Sequence, residues 1–195
     1  MGQYYRIAIK EKPFDSSFGE NIIINDRKVN EIGYISAKIL EHGWMDCVIC
    51  RVVAQKMYKN PIRLAWIGDY AWRHDIESAT ESELNYQMVW GDCVDLSHSF
   101  DYCDEFDYKG KYLVNHSRNM YISFDKWWEL NYIEVDESAL APFAMLTAIG
   151  MEGENCYYGY NKFMIGEWAW DVLSIEDERP SKDFDEILFN CGYEK

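Results

Sequence analysis

Lys111-Tyr112-Leu113-Val114-Asn115-His116-Ser117-Arg118-Asn119-Met120-Tyr121-Ile122-Ser123-Phe124 is the stretch whose reading decides the fold class. Two β-rich runs flank the polar segment His116-Ser117-Arg118-Asn119, which predicts a hairpin. Upstream, Ile62 to Ile67 reads as a compact apolar strand ending at Gly68-Asp69, and Gln3 to Ile9 as an alternating first strand. Asn21 to Val29 reads as two short strands around an Asn-Asp turn. Tyr34 to His42 fits either element, and its alternation favours a strand. Met45 to Tyr58 carries apolar residues at near-helical spacing and stops before Asn60-Pro61, because a residue preceding proline disfavours helix. Short helices are expected at Ser78 to Met88 and from Asp125 to Leu130. Downstream, Ala141 to Ala148 is apolar, Gly150, Gly153 and Gly159 mark a loop, and Phe163 to Ile175 reads as a strand or strand pair. Ser181 to Phe189 is expected to be a terminal helix with an acidic face. Strands outnumber helices and no βαβ alternation appears. The expected fold is therefore α+β: a single domain over 1–195 with a mainly antiparallel sheet and a few packed helices.

The chain has 195 residues, of which 48% are hydrophobic and 27% charged, a globular balance. No apolar run approaches the roughly 20 residues of a membrane span. Met1 to Arg6 lacks the apolar region of a secretory signal, so a cytoplasmic location is expected. The net charge is −15, which argues against direct binding to nucleic-acid phosphates. That charge is uneven. Residues 1–73 hold 11 Lys/Arg against 8 Asp/Glu, whereas 74–195 hold 8 against 26. From His74 to Tyr108 there is no base, and the acids are Asp75, Glu77, Glu81, Glu83, Asp92, Asp95, Asp101, Asp104, Glu105 and Asp107. A second base-free stretch runs from Trp127 to Asn161 and includes Glu129. Such a field attracts basic protein surfaces and raises their on-rates.

No dinucleotide fingerprint, phosphate loop, nucleophile elbow or zinc-protease motif is present. Neither a cofactor nor a metal is expected. Cys47-Val48-Ile49-Cys50 has redox or zinc spacing but lies in an apolar run, where free cysteine acts as a small hydrophobe. His42 follows Glu41, which could tune it as a base, and His116 is expected at the surface of the hairpin turn. Asp69 and Asp171 each lie three residues after a tryptophan (Trp66 and Trp168) at an expected strand end, where pockets form. Aromatic residues make up 16%, with dense clusters at Trp127-Trp128 and Tyr157-Tyr158-Gly159-Tyr160. Tyrosine and tryptophan are enriched at interfaces.

Several segments resemble an uncharacterised family of small bacterial and phage proteins. They are the opening Met1-Gly2-Gln3-Tyr4-Tyr5, Leu40 to Trp44, Arg63 to Ala71, Tyr112 to His116, Leu146 to Gly150 and Gly166 to Asp171. The resemblance spans most of the chain but leaves 74–108 unmatched, which implies an acidic insertion or variable segment. It implies a bacterial cell or phage-infected host and brings no activity with it.

The residues favour a non-enzymatic acidic binding protein, an inhibitor or antagonist of anti-defence or immunity type that engages a basic protein surface. The expected binding set is Asp92, Asp95, Asp101, Asp104, Glu105 and Asp107 with Trp66 and Trp168. The alternative is a small-molecule binder or hydrolase with a sheet-edge pocket around His42, Asp69 and Asp171.

Overall fold

The computed structural model of the chain describes residues 5–10, 30–31, 43–68, 94–95, 105–134, 137–149 and 164–191. The expected strands within 21–29 and 34–42 and the expected helix at 78–88 lie outside them. In chain order the described elements are β1 (Tyr5–Lys10), β2 (Asn30–Glu31), α1 (Val48–Met57), β3 (Ile62–Gly68), β4 (Val94–Asp95), β5 (Tyr112–Asn115) and β6 (Met120–Ser123). They continue with α2 (Phe124–Asn131), α3 (Pro142–Leu146), β7 (Ala148–Ile149), β8 (Val172–Glu176) and β9 (Asp185–Glu186).

All the described strands join one sheet in the order β4-β2-β1-β3-β8-β5-β6-β9, with β7 also on β3. The α+β class holds, but the sheet is mixed rather than mainly antiparallel. Pairs β2–β4, β3–β7 and β6–β9 run parallel. One of these pairs arises at β3. One edge of β3 pairs with β1 along Arg63–Gly68, while its other edge is divided. Ile62 and Arg63 take antiparallel β8, and Trp66 and Ile67 take parallel β7. Leu64, Ala65, Trp66 and Ile67 are all buried, as befits a strand covered on both faces.

The hairpin forms as the sequence predicts, with Tyr112 opposite Ser123 and Asn115 opposite Met120. Its turn is closed by Asn115, whose Oδ1 accepts the backbone N–H of Ser117 and Arg118 at 3.0 and 3.1 Å. Asn119 takes the left-handed backbone at φ 54°, a conformation that asparagine tolerates. Helix α1 buries Ile49, Cys50, Val52, Val53, Ala54 and Met57, one stripe at helical spacing. It ends where Asn60 Nδ2 caps the Lys56 carbonyl at 3.1 Å, just before Pro61. Helix α2 buries Phe124, Trp127 and Asn131 against the core, and the Trp127 indole N–H donates to the Leu140 carbonyl at 2.7 Å. No helix among the described residues is long and apolar enough to cross a membrane.

Two expectations at the C-terminal end are corrected. Residues 164–171 form turns, and the strand begins only at Val172. Gly166, at φ +75°, passes so close to β7 that a Cβ would lie 2.5 Å from the Ala148 carbonyl oxygen. Trp168 and Trp170 then send their backbone N–H groups to Leu146 and Leu64. Residues 181–189 are not helical: 181–184 form a turn, and Asp185–Glu186 form β9. The outer edge of β6 offers a row of unpaired backbone groups, and covering it outweighs the local helical pattern. Asp185 N–H donates to Asn119 and Ile187 N–H to Tyr121, both at 2.9 Å. The Asn131 side chain anchors the end of this strap, donating to the Phe189 carbonyl and accepting from Cys191 N–H.

Candidate functional site

The groove between the start of α1, the segment before β5 and one face of α2 is the candidate site. Its volume is about 1060 Å³, room for several side chains. Met45, Asp46 and Arg51 line one wall, Glu105, Phe106, Asp107, Tyr108 and Lys109 a second, and Phe124, Asp125, Trp128 and Glu129 a third. Helical geometry explains the third wall. Asp125, Trp128 and Glu129 follow i, i+3, i+4 spacing and share one face, opposite the buried Trp127 and Asn131. The floor is aromatic. Phe106, Tyr108 and Phe124 form a row with ring centroids 4.8 and 4.9 Å apart, and Phe124 is fully buried.

Five lining carboxylates face two lining cations, Arg51 and Lys109. Hydrogen bonds from uncharged donors hold three of the acids in place. Ser138 Oγ donates to Asp46 at 2.7 Å, Lys109 backbone N–H to Asp107 at 2.9 Å, and Gly110 N–H to Asp125 at 3.0 Å. Glu129 is exposed and makes no hydrogen bond or ion pair among the described residues. Elsewhere among the described residues, four carboxylates are paired with cations. Asp171 and Glu167 meet Arg118, Asp177 meets Lys59 and Lys111, and Glu186 meets Lys126 and Arg179. Asp46, Asp107 and Asp125 are therefore held in position by neutral donors, and neither they nor Glu129 form an ion pair among the described residues.

Of the residues anticipated from the sequence, Glu105 and Asp107 line this groove and are exposed. Asp95 lies in β4, in register with Glu31. Asp92, Asp101, Asp104, His42 and Asp69 lie outside the described residues. Trp66 and Trp168 are 0% and 1% exposed, so both rings pack in the core rather than at a surface. Asp171 accepts from Asn115 Nδ2 at 2.8 Å and Arg118 Nε at 2.7 Å, locking the hairpin turn to the start of β8. It sits beside the first half of β3, whereas Gly68 ends that strand at the other end. Sequence reasoning missed Asp46, Asp125 and Trp128 as site residues, although Trp128 belonged to an aromatic pair it had singled out and Glu129 to a base-free stretch.

His116 is half-buried rather than at the surface. Ser174 Oγ donates to Glu176 at 2.6 Å, so the 2.7 Å contact from His116 Nε2 requires the ring proton on that nitrogen. The hydroxyl lies between imidazole and carboxylate, and Ser174 is fully buried. Its proton points away from the base, which does not fit a serine nucleophile. Burial lowers the His116 pKa from its ordinary 6.5, with Glu176 opposing. The unfolded chain therefore binds the proton more readily than the folded one. The contribution of His116 is complete above pH 6.5 and declines as pH falls through 6.5 toward the folded value. Urea midpoints measured from pH 7.5 to 5 are expected to fall less steeply for His116→Gln than for the parent. Parallel slopes would refute this.

Cys47 sits at the N-cap position of α1 without a side-chain cap hydrogen bond and is half-buried, and Cys50 is wholly buried. Burial, then the Asp46 carboxylate, raises the Cys47 pKa. Burial, then Cys47 and Asp46, raises that of Cys50 further. Both thiols are protonated at neutral pH and pack as small apolar groups. No group of three or more metal-ligating side chains occurs among the described residues. Comparison with protein-family models, curated proteins and solved structures finds no match.

Proposed function

We propose that the chain is a non-enzymatic acidic binding protein that antagonises a protein partner by engaging its basic surface. The observation that carries this reading is the groove, where carboxylates held by neutral donors and without ion pairs among the described residues share one lining with aromatic rings. A partner's Lys or Arg side chains gain both a counter-charge and apolar cover for their stems there. The excess of 26 acids over 8 bases in 74–195 adds a long-range negative field that steers a basic partner's approach.

The test compares the parent chain with an Asp107→Lys, Glu129→Lys double variant. Each is immobilised and exposed to bacterial lysate at low salt, then washed at about 1 M, where the screening length shrinks to about 3 Å. The expected result is an identified basic partner held by the parent, released by salt and retained at least tenfold less by the variant. Equal retention by both chains, or no salt-sensitive partner, would overturn the reading.

A further inference from the structure

Trp128 stands out among the groove residues. It is 36% exposed, whereas Trp66, Trp127 and Trp168 are almost completely buried. Tyr132 packs against it at 5.2 Å with a tilt of 38°. The indole nevertheless keeps more than a third of its surface free, at the groove wall and between Asp125 and Glu129 in sequence. A partly exposed tryptophan beside carboxylates that form no ion pair among the described residues suits one kind of group. The group must be flat enough to lie on an indole, carry a positive charge, and present several N–H donors to carboxylates at its edge. A guanidinium meets all three requirements, whereas an ammonium is a compact, strongly hydrated point charge.

We propose that the groove is an arginine seat: an arginine side chain of the partner lays its guanidinium on Trp128 and donates to Glu129 and Asp125. Asp125 arrives pre-oriented, because Gly110 N–H already bonds both of its oxygens at 3.0 and 3.2 Å. Glu129 brings a carboxylate with no competing partner among the described residues. Charge complementarity selects the class of partner, with five carboxylates outnumbering Arg51 and Lys109 in the lining. The indole selects arginine over lysine within that class. This inference rests on the basic-partner reading above and adds the identity of the recognised side chain.

Fluorescently labelled octa-arginine and octa-lysine peptides separate the two claims. Their affinities are measured by anisotropy at fixed salt for the full chain and for Trp128→Ala, Trp128→Phe and Glu129→Gln. Thermal melts of each variant confirm folding. The expected result is octa-arginine bound about tenfold more tightly than octa-lysine by the parent. Trp128→Ala erases that preference by weakening only the arginine peptide, and Trp128→Phe restores part of it. Glu129→Gln weakens both peptides. Equal affinities for the two peptides, both lost at high salt, would overturn the seat and leave the acidic-binder reading standing. An arginine preference that survives Trp128→Ala would also overturn the seat. Binding of neither peptide would overturn both readings.

Discussion

Gly166→Ala is expected to destabilise the fold by roughly 2–6 kcal/mol. The left-handed backbone at φ +75° costs a residue with a Cβ about 1–3 kcal/mol. A Cβ placed 2.5 Å from the Ala148 carbonyl oxygen forces β7 to give way, which adds about 1–3 kcal/mol of overpacking strain. The affected atom is backbone, so no rotamer change relieves it. The consequence reaches the centre of the sheet. Gly166 N–H bonds Met145, Trp168 N–H bonds Leu146, and Trp66 N–H bonds Thr147, so displacing this segment disturbs the divided edge of β3. Gly110→Ala is the control. Its backbone is equally left-handed at φ +70°, but nothing lies within 4 Å of the added Cβ. Urea denaturation of the two variants isolates the contact from the backbone preference. A Gly166→Ala loss no larger than that of Gly110→Ala would show that β7 yields freely.

Asn115→Ala is expected to cost roughly 2–4 kcal/mol, since it removes three hydrogen bonds worth about 0.5–1.5 kcal/mol each. Asn115 is fully buried and makes three bonds. Its Oδ1 holds the N–H groups of Ser117 and Arg118, and its Nδ2 holds Asp171. Alanine removes all three, opening the hairpin turn and freeing the Asp171 carboxylate on one side. Amide exchange is expected to accelerate at Ser117 and Arg118, while the buried α1 core keeps its protection. Uniform acceleration everywhere would contradict this local role. Asn115→Asp separates turn from bridge. It keeps the acceptor that closes the turn but sets a carboxylate against Asp171 in place of the amide donor. The new carboxyl then has a folded pKa raised above its unfolded value of about 3.9. Its contribution is lost as pH rises through the folded pKa and is fully present below about 3.9. The deficit of Asn115→Asp against the parent is therefore expected to shrink as pH falls, whereas the deficit of Asn115→Ala should change little with pH.

The same logic explains which parts of the molecule were legible in advance. The hairpin at 112–123 could be read because alternation and turn chemistry lie within a dozen neighbouring residues, and Asn115 closes the turn with its own side chain. Helix α1 could be read because its apolar stripe and its Asn60-Pro61 stop are also local. The segment 181–189 was misread because its apolar spacing suits a helix in isolation. What overrides that spacing is the exposed edge of β6, about 60 residues earlier in the chain. The turns at 164–171 escaped notice because the demand for glycine at 166 comes from Ala148, which is not its neighbour in sequence. The parallel β3–β7 pair follows from the divided edge of β3, which no single segment encodes.

The candidate site divides in the same way. The sequence by itself determined the acidic imbalance, the acids Glu105 and Asp107, the aromatic pair at Trp127-Trp128, and the helical spacing that sets Asp125, Trp128 and Glu129 on one face. Charge, composition and periodicity are local properties, legible without a partner. Only the tertiary structure decided that this face, the 105–109 segment and the start of α1 enclose one groove. It also decided that Trp127 is buried while Trp128 stays at the surface, and that Trp66 and Trp168 belong to the core. Convergence of segments as much as 84 residues apart depends on which backbone edges pair and which rings bury, and that choice is made by the whole chain at once.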